Sequence, residues 1–356
     1  MSRQRLYQYD VIRALAIIMV VAVHCLPPEW APLVGHTSCK SFVRLSKALL
    51  LTCNPLFFMM SGKFNIRPLA DAELDRYYYR RVRGVLVPTL IYAAIYTVWY
   101  RFPNVLPAGA LALSYLRNVL GVLSDKIFWF VCTLFGMLLV APYLAQGLRS
   151  IGRRGQMCLM GIWLVWSTCH WLGANLDFYY NWSFPLGGFF FFFCLGSFVE
   201  DSFLNELSTR TLAVVGFLAW FVNGTLAYFG WEGYAYDRSP LYGITAICLY
   251  LFLMRRPWNH SERVRGAVSF VATNSFGIYL MHALLVWPVT DLLEPLLDVW
   301  GPLFFACHFP LTLLGGLAMA LVCDNLLVRP AQALMDKAFL QKVELHAAGE
   351  LPAHER

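Results

Sequence analysis

Apolar runs long enough to cross a lipid bilayer recur along almost the whole chain, and this limits the fold more than any other feature. A membrane-spanning helix needs about 20 predominantly apolar residues. Ten such runs are found, at about 9–26, 45–64, 83–101, 127–148, 157–174, 183–200, 211–229, 239–254, 269–289 and 303–328. Composition points the same way. Hydrophobic residues make up 59% of the 356 and charged residues 14%, where soluble domains carry roughly 25% charged residues. Mean hydropathy is +0.56. A water-surrounded core cannot cover that much apolar surface, so the expected fold is all-α, a polytopic membrane protein of about ten transmembrane helices. The stretch 107–123 is interrupted by Arg117 and Asn118 and reads as an interfacial or re-entrant helix.

The net charge of +7 raises nucleic acid as a partner. The cations, however, sit in short segments between apolar runs, where they act as topology signals. With the N-terminus placed inside, 20 of the 28 Lys and Arg residues fall in inner segments and 7 in outer ones, with Arg13 inside the first run. Both termini are therefore expected in the cytoplasm. The first run is not expected to be a cleaved signal peptide, because it contains an arginine, lacks an A-x-A site and is followed at once by the turn PPEWAP. One membrane-embedded domain is expected over 1–330, with 331–356 as a cytoplasmic tail, amphipathic or disordered.

The ten cysteines form no CxxC and no zinc-like spacing. Most lie inside apolar runs and read as small packing residues. Cys25 and Cys39 both fall near the outer surface, where a bridge between them is open. The run FFFFF at 189–193 reads as lipid-facing or packing bulk. Trp163, Trp166, Trp171 and Trp182 read as interfacial anchors, and the acidic residues 177, 232, 237, 291, 294 and 298 as solvated outer-loop charge.

The first run, DVIRALAIIMVVAVHC, carries an arginine near its start and a histidine near its end. Ionisable residues inside a membrane are costly and mark function by default. Arg13 and His24 are 11 residues apart, so they share a helix face at about 100° per residue and are separated by about 16–17 Å at about 1.5 Å per residue. Asp10 lies one turn before Arg13 and is placed to pair with it. One stripe thus carries a cation at the cytoplasmic mouth and a base towards the far side. A donor with an anionic head and a narrow arm ending in a thioester, as in coenzyme A, fits that stripe.

Arg13-x10-His24 after Asp10 resembles the signature of the bacterial acyltransferase-3 membrane proteins. Other stretches agree in order. NPLFFMMSGK, 54–63, is similar to the family's FFxxSG element; YYYRRVRGVLVP, 77–88, resembles its basic stretch entering the third helix; FWF at 128–130 followed by Pro142 looks like its WFL…P element; SFGIYLMH, 275–282, is similar to a late-helix motif. Two departures stand out. Lys63 follows the SG pair, and Ile127 and Phe128 stand where many polysaccharide-modifying members carry a histidine. The resemblance implies an acyl-CoA-dependent enzyme of the bacterial cytoplasmic (inner) membrane, with acyl-CoA, in the simplest case acetyl-CoA, as co-substrate and no metal. It acylates a hydroxyl or amine of a surface glycan or of its lipid-linked precursor. Membrane lipids are further partners, nucleic acid is not, and a homo-oligomer stays open.

The resemblance puts the catalytic set at His24, Arg13 and Asp10. His24 is the general base, since histidine titrates near neutral pH. Arg13 meets a phosphate of the donor or orders Asp10. Arg80, Arg81 and Arg83 are either topology signals or a second phosphate contact. Ser61 either bonds the donor or caps backbone groups beside Gly62. His282, His308 and Trp129 are acceptor-side candidates, each equally readable as a satisfied or anchoring side chain, and Tyr279 reads as packing. A glycan exporter or flippase is the alternative. It predicts internal repeats or broken helices in matching halves, and no convincing repeat is found. A membrane sensor or scaffold would leave the matched motifs without purpose.

Overall fold

A computed structural model describes residues 7–34, 37–101, 108–117, 119, 121, 128–176, 188–231 and 239–347. Trp182, Ile127, the acidic residues 177, 232 and 237, and the tail end 348–356 lie outside the described residues. The protein is an all-α polytopic membrane protein. Eight helices among the described residues are long and apolar enough to cross a bilayer. The runs at 239–254 and 183–200 correspond to a 16-residue helix and to a helix described over nine residues.

The elements follow in chain order. Helix α1, Tyr7–His24, leads through a short antiparallel pair, β1 Pro32–Val34 and β2 Thr37–Ser38, to α2, Lys40–Leu50, and α3, Cys53–Asn65. Next come α4, Asp71–Arg81, a π-helical segment at Val82–Leu86, α5, Val87–Arg101, α6, Ala108–Arg117, and α7, Trp129–Arg149. Helix α6 covers most of the expected interfacial segment. After α8, Arg153–Asn175, and α9, Gly188–Gly196, come α10, Thr209–Tyr228, α11, Pro240–Arg255, and α12, Glu262–Leu293. Helix α13, Gly301–Cys323, runs through a second π-helical segment, Asp324–Val328, into α14, Arg329–Ala347, so residues 331–347 are helical.

The chain divides into two compact units. The first comprises Met1–Leu69 and Val140–Leu317 and holds α1, the helix that carries the site. Most of α1 is buried on every side, because α3, α11 and α12 pack around it. The 40–65 region is one apolar stretch with a break. Pro55 has no N–H to offer the carbonyl of Leu51 four residues earlier. In lipid no water can take that carbonyl. The Tyr242 hydroxyl of α11 donates to it at 2.8 Å, as does the Asn54 N–H at 3.2 Å. Helices α3 and α9 cross backbone against backbone. A Cβ on Gly62 would fall 1.8 Å from the Phe193 carbonyl oxygen, and one on Gly196 2.0 Å from that of Met59. The glycine of the SG element is therefore a packing requirement. Of the phenylalanine run, Phe191, Phe192 and Phe193 are fully buried, and Trp163 stacks on Phe191 at 4.6 Å, so this part is packing bulk.

Lys63, one of the departures, joins a closed polar knot at one end of this unit. Its ammonium lies 2.8 Å from Glu200 Oε2. Tyr9 donates to the Glu200 carboxylate at 2.9 Å and Tyr250 at 2.8 Å. At the other end the β1–β2 pair packs through Ala31 and Cys39 against Val43, Leu297 and Phe304.

The second unit comprises Ala70–Leu139 and Ala318–Arg356. Within it the Tyr77 hydroxyl donates at 2.7 Å to the Leu138 carbonyl, which Pro142, farther along α7, leaves without its helical donor. Gln332 donates to the Arg83 carbonyl within the first π-helical segment at 3.0 Å, and Tyr92 donates to Asp324 at 2.7 Å.

Candidate active site

Asp10, Arg13 and His24 all lie on α1, and α12 packs beside it. Asp10 is buried, 4% exposed, and accepts a 2.8 Å hydrogen bond from Ser269 Oγ. Arg13, one turn on, is half-buried. His24 is the one exposed residue of α1, although Val23 and Cys25 on either side of it are buried. Its ring lies 5.2 Å, centroid to centroid, from that of His282 on α12. The pairs Asp10–Ser269 and His24–His282 keep nearly the same offset along the chain, so α1 and α12 run parallel. Fourteen residues separate the two α1 positions and 13 the two α12 positions.

His282 is 3% exposed. Its Nδ1 sits 2.6 Å from the Tyr279 carbonyl oxygen and 3.3 Å from that of Ile278. Carbonyls only accept, so the contacts assign the ring proton to Nδ1. That leaves Nε2 as a lone pair, and this buried atom has no hydrogen-bond partner. Gly316 of α13 lies against the backbone of His282, where a Cβ would come within 3.4 Å of its Cα.

His308 reaches the same level from α13. Its Nδ1 is 3.3 Å from the Cys25 carbonyl oxygen and its Nε2 is 3.2 Å from that of Val286. The three histidines have different surroundings. His24 is exposed, His282 presents one free lone pair, and His308 has a backbone carbonyl beside each nitrogen, of which the neutral ring can donate to one.

Ser61 is half-buried beside Gly62, and its carbonyl accepts from Asn65 Nδ2 at 2.7 Å. The remaining candidates belong to the second unit. Arg80 is exposed. Arg81 lies over the Tyr77 ring at 4.6 Å. Arg83 makes a two-pronged ion pair with Asp336 at 2.7 and 2.8 Å. Trp129 opens α7 next to Phe130. Among the described residues, no group of three or more His, Cys, Asp or Glu is placed to hold a metal ion.

Two neighbours of the site escape sequence reading. Ser269 has no motif around it. Lys47, half-buried on α2, reads as an outer-loop charge, yet it stands on a helix that packs against α1. Its place at the start of the second apolar run, level with the end of the first, is the only signal for it.

Comparison with known proteins adds two findings. An acyltransferase-domain family profile, acyltransferase-3, matches residues 6–321. The chain is 23% identical over 303 residues to YfiQ of Bacillus subtilis (strain 168), a protein named provisionally as a membrane-bound acyltransferase; the match covers 76% of this chain and 78% of that protein. No solved structure is matched.

Proposed function

Because the chain belongs to the acyltransferase-3 family, and so is a membrane acyltransferase, we propose that it draws its acyl group from cytoplasmic acyl-CoA, in the simplest case acetyl-CoA. The acceptor is a hydroxyl or amine of a surface glycan or of its lipid-linked precursor. His24, the only exposed residue of α1, with Arg13 and Asp10 on the same face, carries this reading. It supplies a base open to a substrate on a stripe that begins with a cation.

The chemistry balances on that stripe. A nitrogen of His24 takes the proton from the acceptor hydroxyl as its oxygen attacks the thioester carbonyl. The tetrahedral intermediate collapses, the C–S bond breaks, and the departing thiolate takes the proton from the imidazolium. Arg13, permanently charged, suits a phosphate of the donor, and Asp10, held by Ser269, fixes the helix face from which Arg13 projects.

The test is label transfer from radiolabelled acetyl-CoA in inside-out vesicles holding wild type or His24→Ala. Label should reach a glycan or lipid fraction with wild type and fall by about 100-fold or more in the variant. Equal labelling would make His24 structural and sink the assignment. An exporter or flippase would move its glycan and transfer no label.

A further inference from the structure

We propose that His282 is the positioning partner of His24: its Nε2 accepts a hydrogen bond from a ring N–H of His24 and so presents the other His24 nitrogen, as a free lone pair, to the acceptor. The inference rests on the reading of His24 as the base.

Three observations carry it. The first is the orphan. Buried polar atoms in native proteins almost always have partners, and an unpartnered buried acceptor is destabilising. Nε2 of His282 is such an atom, on a side chain 3% exposed. The second is the fixed tautomer. The 2.6 Å contact of Nδ1 with the Tyr279 carbonyl keeps the proton on the far side of the ring, so Nε2 can only accept. The third is the distance. Two imidazoles joined by an N–H···N bond of about 3 Å have centroids roughly 5 Å apart, and the observed separation is 5.2 Å. His24 is exposed and has room to turn about its side-chain bonds into this bond.

The arrangement meets a need of a base at this depth. A neutral imidazole has two tautomers, and only one leaves the lone pair facing the acceptor. In serine hydrolases a buried carboxylate selects the tautomer. A carboxylate buried here among apolar helices would carry a large desolvation cost. A neutral histidine whose proton is already committed selects the tautomer without that charge. When His24 takes the acceptor's proton, the existing N–H···N bond becomes charge-assisted and strengthens. No net proton passes to His282.

Replacing His282 by Gln, Asn and Leu tests this, because Gln reaches the position of Nε2 and Asn that of Nδ1. His282→Leu should lower kcat by about 100-fold, the scale of a misplaced reacting group, with KM for acyl-CoA unchanged. His282→Gln should recover most of that loss and His282→Asn should not. Wild-type kcat in His282→Leu, or equal losses in Gln and Asn, would overturn the partnership. His24→Ala separates the two readings. If it is inactive while His282→Leu is active, the partnership alone falls; if it is active, the base assignment falls first. Should the His282 variants fail to fold, nitrogen-15 histidine spectra of wild type and His24→Ala decide. Wild type should show an Nδ1–H tautomer for His282 with Nε2 hydrogen-bonded, and the Nε2 signal should move to that of a free lone pair in His24→Ala. An unchanged signal overturns the proposal.

Discussion

Cys39 shows what burial does to a single group. Its side chain is wholly buried, and its Sγ donates to the Pro32 carbonyl at 3.5 Å. Gly301 packs so closely on it that an added Cβ would fall 2.4 Å from the sulfur. Burial raises the Cys39 pKa, which favours the neutral thiol over the reactive thiolate. Cys25 and Cys39 are both free and buried, so the bridge left open by sequence is absent. Membrane-impermeant maleimide should leave Cys39 unlabelled at neutral pH, and the denatured, unreduced chain should titrate all ten thiols. Two fewer would mean that the bridge forms. At this scale the sequence is legible where a residue contradicts its surroundings. Arg13 and His24 stand out because apolar runs rarely hold charge. His282 emerges through the resemblance of its motif, and Ser269 not at all, because its contact with Asp10 spans 259 positions and leaves no local pattern.

At two prolines of this protein the freed carbonyl is served by a hydroxyl from another helix. Pro55 and Pro142 each free a carbonyl, and Tyr242 and Tyr77 each donate to it. In water such a carbonyl would be solvated. In lipid no water replaces the lost donor, so the tyrosine belongs to the proline. Tyr242→Phe should therefore cost about 0.5–1.5 kcal/mol, the net worth of one hydrogen bond, because the Asn54 N–H still serves the Leu51 carbonyl. In a Pro55→Ala background the restored N–H at position 55 can serve Leu51, and the same substitution should cost much less. A double-mutant cycle of unfolding in mixed micelles measures the coupling. Equal costs in both backgrounds would show that Tyr242 acts through packing. Sequence marks the apolar runs as helices. It does not mark which tyrosine closes which break, since that depends on which helices become neighbours. The short α9 and the two π-helical segments are missed for a similar reason: composition sets how apolar a run is, and packing decides where its helical geometry is regular.

The directions of the helices in the first unit follow from pairs of contacts. Asp10–Ser269 and His24–His282 make α1 and α12 parallel. Leu51–Tyr242 lies at one end of α3 and α11, while Lys63 and Tyr250 meet at Glu200 at the other, so these two also run together. Tyr9 joins that same end from the start of α1, which sets α1 against both. This is the alternation expected if every apolar run crosses the bilayer, but contacts fix only relative directions. The sign comes from charge, 20 cations against 7 in favour of a cytoplasmic N-terminus. Thr37, in the β1–β2 pair, and Leu207, just before α10, are both exposed and should lie on opposite faces. Cysteine at position 37 should react with an impermeant maleimide in intact cells, and cysteine at 207 only after permeabilisation. Labelling of both from one side would break the alternation. The reverse pattern would invert the molecule and place Arg13 on the face that cytoplasmic coenzyme A does not reach. The donor side of the proposed reaction would then be lost even if His24 proved essential.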